Sequence, residues 1–207
     1  MTEQEILKRL SNYSTPELCD GAEPEGYRAM ASRIQRQITD KKIVGTAFPV
    51  QVPYGSSGIV PDAILAARKG DILVIAAEDS RNGALWGDHR SLCALKKGLA
   101  GVVIDGAYRD FEGCSKAGFP IFATNRTPGS GKKTPEGELN VPVICGDIVV
   151  CPGDYIVGDE NGVIVIRPEE AEAVMERADK KMKAEAATIK KMEETGEILP
   201  RVLMELA

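Results

Sequence analysis

Three charged residues stand at a spacing that suits chemistry. Asp88 is followed, after twenty intervening residues, by the pair Arg109-Asp110. The apolar run Gly101-Val102-Val103-Ile104-Asp105 lies between them, so the acids and the arginine sit at the two ends of one helix-strand segment and meet at one edge of a sheet. Carboxylate oxygens suit a hard divalent cation. A guanidinium beside them can polarise a carbonyl or hold an oxyanion. Asp110 is a direct cation ligand in this reading, and Asp88 holds metal-bound water or serves as a second ligand. The bland reading is a solvated helix start, since Asp is common in a first turn; the position directly after a buried strand is what favours chemistry. Glu112 is close by but points elsewhere on a helix.

The residues before Asp88 complete the expected crevice. Ligands of open α/β sheets bind beyond the carboxyl ends of parallel strands. Gly83-Ala84-Leu85-Trp86-Gly87 follows one such end, and Gly106-Ala107-Tyr108 follows the next. If a helix begins at Ala84, its first backbone N–H groups are free and favour an anion. Gly83 and Gly87 allow close approach of a ligand. Gly83, Ala84, Leu85 and Trp86 are therefore candidates for binding a small substrate's carboxylate, together with Arg109. A tight turn capped by Asn82 remains the alternative.

The elements that must position these residues follow from periodicity and turn chemistry. Residues 3–11 read as a helix, and Ser14-Thr15-Pro16 carries the marks of a second helix start. Ile43 to Val52 reads as a strand, residues 54–58 as a loop, and Val60 to Lys69 as a helix ended by Gly70. Asp71 to Ala76 is a buried strand, Asp79 to Gly83 a polar turn, and Ala84 to Lys97 a helix closed by Gly98. Gly101 to Asp105 is the next strand, parallel to the last. A short helix runs from near Arg109 to Gly118, then a strand over 120–123. Residues 124–140 read as a long loop. Short strands are expected at 141–145, 148–151, 154–157 and 162–166 as an antiparallel unit. A C-terminal helix follows from Pro168 to about Thr195. The picture is a single α/β domain over 1–207, with a core at about 15–167 and a helical arm at about 168–207.

Composition narrows the function class. The 207 residues carry 26 Lys and Arg against 31 Asp and Glu, a net charge of −5 that argues against general nucleic-acid binding. No apolar run reaches the ~18 residues of a membrane span. Five cysteines without a CxxC pair, behind a polar start, fit reduced thiols in a cytoplasmic protein. With one histidine, His89, a multi-histidine zinc site is unavailable, so any metal is Mg or Mn on oxygen ligands. His89 is either a proton shuttle or a residue at the pocket rim. Thr127 to Thr134 looks like a phosphate loop but fails the Walker pattern.

The C-terminal helix carries one anomaly. Ala171, Met175, Ala178, Met182, Glu185, Ile189 and Met192 alternate at spacings of four and three, a heptad seam. Glu185 stands where an apolar residue is expected, and a carboxylate there is costly to bury. Either the seam is partly exposed near a fraying end, or the arm packs on a neighbouring subunit and delivers Glu185 to its site.

These pieces together resemble the RraA-like family: Gly83 to Asp88, Gly101 to Asp110, Asn140 to Gly146, Pro152-Gly153-Asp154 and Asp159 to Val163, in that order. The resemblance spans roughly residues 40–195. That family includes 4-hydroxy-4-methyl-2-oxoglutarate aldolases, which also decarboxylate oxaloacetate, and regulators that bind ribonuclease E. It implies a swivelling β/β/α domain assembled as a homotrimer or homohexamer with sites between subunits. It implies a Mg-type ion on Asp110, with Asp88 holding its waters. Arg109 is then on the keto oxygen, the backbone around Ala84 to Trp86 on the pyruvyl carboxylate, and a neighbour's Glu185 completes the site. The activity implied is a lyase that releases pyruvate from a small 2-oxo acid through a metal-stabilised enolate. No lysine is among the residues placed at the crevice, so the metal is the electron sink rather than a Schiff base. Three departures bear on the substrate: the polar stretch 77–82, His89 after the signature Asp, and Gly113, which weakens its helix. The alternative is a protein-binding regulator of a ribonuclease, which needs neither Asp88 nor Asp110.

Overall fold

The structure, a computed structural model, describes residues 1–22, 26–53, 56–77 and 83–207. Of the turn expected at 79–83, residues 79–82, with the cap Asn82, lie outside them, as do Tyr54 and Gly55. The chain opens with α1 (Glu3–Leu10), begun by a capping box in which Thr2 Oγ accepts from Glu5 N and the Glu5 carboxylate accepts from Thr2 N. In α2 (Thr15–Ala22) the start is fixed by Ser14, whose N and Oγ both donate to the Glu17 carboxylate, at 2.6 and 2.9 Å. Two short strands, β1 (Arg28–Ala29) and β2 (Gln35–Ile38), come next. They are too short and polar to carry a period-2 signal.

The parallel half follows as β3 (Ile43–Val52), α3 (Val60–Ala66), β4 (Asp71–Ala77), β5 (Ala84–Trp86), α4 (Asp88–Lys97), β6 (Gly101–Tyr108), α5 (Phe111–Ala117) and β7 (Ile121–Arg126). The rest is β8 (Glu138–Leu139), the hairpin β9 (Val143–Cys145) and β10 (Ile148–Val150), β11 (Tyr155–Asp159), β12 (Gly162–Ile166), a 3₁₀ turn at Pro168–Glu170 and α6 (Ala171–Thr195).

One mixed sheet organises these elements in the order β1-β12-β11-β3-β4-β6-β7-β2, with β5 added to β6 and β8 to β3. The run β3-β4-β6-β7 is parallel, as expected. The expected antiparallel unit is split instead: β11 and β12 extend the same sheet by pairing on β3, and β9-β10 alone forms a separate hairpin. One sheet face packs under α3, α4 and α5 through Leu73, Ile75, Val102 and Ile104. The other face carries Val74, Val103 and Phe122 against the hairpin residues Val143, Cys145 and Val150. Hairpin on sheet on helices is the swivelling β/β/α arrangement. The arm α6 packs with α1 and α2 on β11 and β12 through Val174, Met175 and Ala178. Among the described residues no helix is long and apolar enough to cross a membrane.

The hairpin is pinned to the sheet by charge. Its turn places Gly146 and Asp147 at φ 58 and 65, the signature of a type I′ turn. Arg33 bridges Asp147 and Asp105 with hydrogen bonds of 2.8–3.1 Å, and Gly146 N donates to Asp105 Oδ2 at 2.8 Å.

Two helix boundaries differ from the sequence reading. Residues 84–86 are not helical: all three are buried, and they pair in parallel with Ala107 and Tyr108. The helix begins only at Asp88, after an extended Gly87. Strand pairing from β6, invisible in the local pattern, overrides the local helical preference. Likewise α3 stops at Ala66, because Ala67 is already extended at ψ 154.

Candidate active site

The carboxyl ends of β5 and β6 bring the three charged residues together. A cavity of about 110 Å³ is lined by Asp88, Arg109 and Asp110, with Ala84, Trp86 and Gly87 on the β5 side. Ser57, Arg90, Ser130 and Lys133 close it. Two residues of β6, Asp105 and Gly106, face one residue of β7, Thr124, whose Oγ donates to Gly106 O at 2.9 Å. Such bulges re-aim a strand end near functional sites.

Asp110 occupies the left-handed region, φ 57 and ψ 47, at the start of α5. That conformation is uncommon for a residue with a Cβ, although Asp tolerates it better than most, and it is a form of strain found at functional positions. Its side chain does not cap the helix. Instead Oδ2 forms an ion pair with Arg109 Nε at 3.1 Å. Arg109 N is fixed by Trp86 O at 3.1 Å, and Arg109 O accepts from the Cys114 thiol at 3.4 Å. Asp88 opens α4, where the helix dipole favours a carboxylate. Its Oδ1 accepts from His89 N at 2.6 Å.

Two glycines make this geometry possible. A Cβ on Gly87 would stand 2.7 Å from Asp110 Oδ2, and one on Gly113 would stand 2.6 Å from Asp88 Oδ2 and 2.7 Å from Asp88 Cβ. Gly113, read from sequence as a weak helix residue, is the slot into which Asp88 fits. Gly83 serves packing rather than ligand approach: its Cβ would meet Gly131 Cα at 2.7 Å.

Because no helix starts at Ala84, the run of free N–H groups expected from a helix start is not formed there. Ala84 N is taken by Gly129 O, and the carbonyls of Ala84, Leu85 and Trp86 accept from Gly131 N, Arg90 and Arg109 N. Ala84 and Trp86 are in the cavity wall; Gly83 and Leu85 are not. Trp86 is locked by Nε1 donation to Ser91 Oγ at 2.9 Å and by stacking on Phe119.

Of the remaining wall residues, Ser57 and Arg90 carried no motif, and Ser130 and Lys133 lie in the segment set aside as a failed phosphate loop. Arg90 sits behind the charged centre, donating to Leu85 O and to Ser57 O at 2.7 Å. Burial, and then the nearby charge of Arg109, hold its pKa below the ordinary arginine value. Ser57, Ser130 and Lys133 arrive because the segment 129–134 folds back over the strand ends, through Ser57 N to Lys132 O at 2.8 Å and Gly131 N to Ala84 O at 3.2 Å. A lysine does line the crevice, contrary to the sequence reading. His89 is exposed at the rim, its Nδ1 3.9 Å from Cys93 Sγ.

Glu185 is not in this wall. It lies exposed on α6, and the buried stripe there passes through Ala184 and Thr188, so the burial cost inferred from the seam does not arise within one protomer. The stripe shifts because the chain after α6 returns: Leu203 N donates to Thr188 Oγ1 at 2.9 Å.

Among the described residues no three His, Cys, Asp or Glu side chains converge as a closed metal cage. Asp88 and Asp110 nevertheless face one cavity, and the ion pair of Asp110 with Arg109 is itself part of that wall and half-exposed. One or two carboxylates with water in the remaining positions is how magnesium is usually held, so the donor set fits such an ion.

Comparison with known proteins places the whole chain rather than its site. Residues 15–165 match the family described as RraA-like, Aldolase/RraA. An uncharacterized protein of Methanocaldococcus jannaschii is 40% identical over 172 residues, covering 82% of this chain and 80% of its own. A Halalkalibacterium halodurans protein, provisionally named 4-hydroxy-4-methyl-2-oxoglutarate aldolase, is 38% identical over 166 residues, covering 80% of this chain and 79% of its own. Among solved structures, a Streptomyces coelicolor protein described as an unusual member of the RNase ES inhibitor RraA protein family superposes with a TM-score of 0.83 at 26% identity, covering 92% of this chain and 100% of that one.

Proposed function

The chain belongs to the RraA-like family, and from that footing we propose that it is a divalent-metal-dependent lyase. It cleaves a 4-hydroxy-2-oxo diacid, or decarboxylates oxaloacetate, and releases pyruvate. One observation carries the reading: Asp88, Arg109 and Asp110 face a single cavity at the strand ends, held there by Gly87 and Gly113. A family likeness alone would not decide function, because sites vary on a shared fold.

Asp110 and Asp88 would hold Mg or Mn, and such an ion supplies Lewis-acid stabilisation of charge on a 2-oxo acid's oxygens. The protein's own groups do the rest. Arg109, fixed by its pairing with Asp110, hydrogen-bonds the keto oxygen and stabilises negative charge as the C–C bond breaks. The pyruvyl carboxylate is received beside Gly87 at the first turn of α4, where backbone N–H groups lack intrahelical acceptors. It adjoins Ala84 to Trp86, the backbone expected in that role, where the Ala84 N–H is taken by Gly129 O. Lys133 and Arg90 make the far wall cationic, which favours a second carboxylate and hence a diacid. Glu185, exposed on the arm, would serve a neighbouring copy's cavity in a homotrimer or homohexamer.

The test is oxaloacetate with magnesium or manganese, with and without chelator. Pyruvate release is expected to need the ion, and Arg109→Ala and Asp110→Ala are each expected to abolish it. Full activity in both variants would remove the reading. The likeness to an RNase ES inhibitor favours one other role, a protein-binding regulator. Capture of ribonuclease E, with no metal-dependent turnover, would support that role instead.

A further inference from the structure

A second cavity opens beside the first and is nearly four times as large, about 420 Å³ against about 110 Å³. Its walls are Pro61, Ile64 and Leu65 of α3 and Cys93 of α4. It shares His89, Arg90 and Lys133 with the catalytic cavity, so the two chambers meet along a polar, largely cationic boundary. Beyond that boundary the walls turn apolar. Ile64 is buried, whereas Leu65 is 71% exposed at the rim, an aliphatic side chain presented to solvent. The end of α3 that carries it is tied to α4, because Lys97 Nζ donates to the Leu65 carbonyl at 2.6 Å. The Arg90 guanidinium is likewise pinned, to Ser57 O at 2.7 Å and to Leu85 O. An apolar chamber behind a charged one is the usual form of a site that fixes one end of a ligand by polar groups and buries the other.

The geometry points to a tail subsite. The second cavity takes an uncharged aliphatic or aromatic chain, longer than methyl, carried on C4 of a 4-hydroxy-2-oxo acid whose reacting end occupies the catalytic cavity. This rests on the lyase reading and narrows its substrate class. The chemistry stays redox-neutral. The C3–C4 bond breaks, the C4 hydroxyl gives up its proton and becomes the carbonyl of the released tailed fragment, and the electron pair left on C3 takes a proton to complete pyruvate.

The test compares 4-hydroxy-2-oxoglutarates bearing methyl, propyl, butyl or benzyl at C4, with oxaloacetate as the tail-free reference. Burial of apolar surface predicts a kcat/KM that rises by about fourfold per added methylene until the chamber is filled. Leu65→Asp, at an exposed position that tolerates charge, is expected to lower the butyl-to-methyl ratio at least tenfold. Cys93→Phe, which occupies the chamber, is expected to do the same. A flat series in an enzyme that still turns over oxaloacetate would overturn the subsite and leave the lyase reading standing. So would a rising series that both variants preserve. Loss of turnover on every substrate, oxaloacetate included, in the unaltered protein would overturn both.

Discussion

Replacing Gly113 by alanine should separate the stability of this protein from its activity. By helix propensity alone the change is favourable, since glycine in a helix interior costs about 1 kcal/mol relative to alanine. For a chain of this size that gain corresponds to a Tm increase of roughly 2–4 °C. The new methyl group, however, would stand 2.6 Å from Asp88 Oδ2, 2.7 Å from Asp88 Cβ and 3.0 Å from Asp88 Cγ. Rotating the carboxylate relieves the first contact but not the second. The start of α4 must therefore move away from α5, by about 0.7 Å to restore ordinary contact. A displacement on the order of 1 Å in a catalytic group costs about a hundredfold in rate. Metal-dependent pyruvate release by Gly113→Ala is thus expected to fall about a hundredfold, while the melting temperature changes by no more than a few degrees. Ser115→Ala, exposed on the same helix, supplies the propensity gain without the clash and should keep full activity. If Gly113→Ala turned over oxaloacetate like the unaltered protein, the placement of Asp88 in the reacting centre would be refuted.

Other outcomes follow from the same structure. Arg90→Met leaves the carbonyls of Leu85 and Ser57 without their donor, so stability should fall by about 1–3 kcal/mol in a denaturant titration; an unchanged midpoint would show that water replaces the clamp. Burial pushes the Asp159 carboxyl up, but donation from Thr15 N and Oγ1 and from Asn161 N outweighs it and holds the group below its ordinary value. Its contribution is therefore complete above the unfolded value of about 3.9 and is lost as pH falls through the lower folded value. Melting temperature should drop more steeply below pH 4 in the unaltered protein than in Asp159→Asn, and parallel curves would disprove the linkage. Burial raises the thiol pKa of Cys114 and Cys145, so both should resist iodoacetamide at pH 7 until the chain unfolds. Mass spectrometry showing either one alkylated in the folded state would contradict the packing.

How much was legible in the sequence depended on how local its physics was. The strands over Ile43–Val52 and Gly162–Ile166 could be read to the residue, because β-branched runs bounded by turn residues need no distant partner to be recognised. Asp88, Arg109 and Asp110 could be placed at one edge because a single helix and strand separate them. The short strand over Ala84–Trp86 could not, since its extended form comes from pairing with Ala107 and Tyr108. Lys133 was set aside with the failed phosphate loop, because 127–137 has no period and meets the strand ends through long-range bonds. Gly113 looked like a defect in a helix until its neighbour across the fold was known. Glu185 is the opposite case: the heptad spacing is real, but the stripe it suggests is redirected at Ala184 by a returning tail.

The segment 129–134 is fastened by main-chain groups: Ala84 N to Gly129 O, Gly131 N to Ala84 O, and Ser57 N to Lys132 O. At its end the Ser56 hydroxyl adds bonds to Thr134, to its carbonyl at 2.7 Å and its hydroxyl at 3.0 Å, and Gly83 and Gly58 leave the segment room. Positions 132 and 133 can thus change identity without removing these bonds, while the reacting trio stays on strand and helix ends elsewhere in the sequence, at 88, 109 and 110. A protein designer could treat this loop as an interchangeable face-plate, redrawing ligand preference there in one short cassette and leaving the machinery beneath untouched.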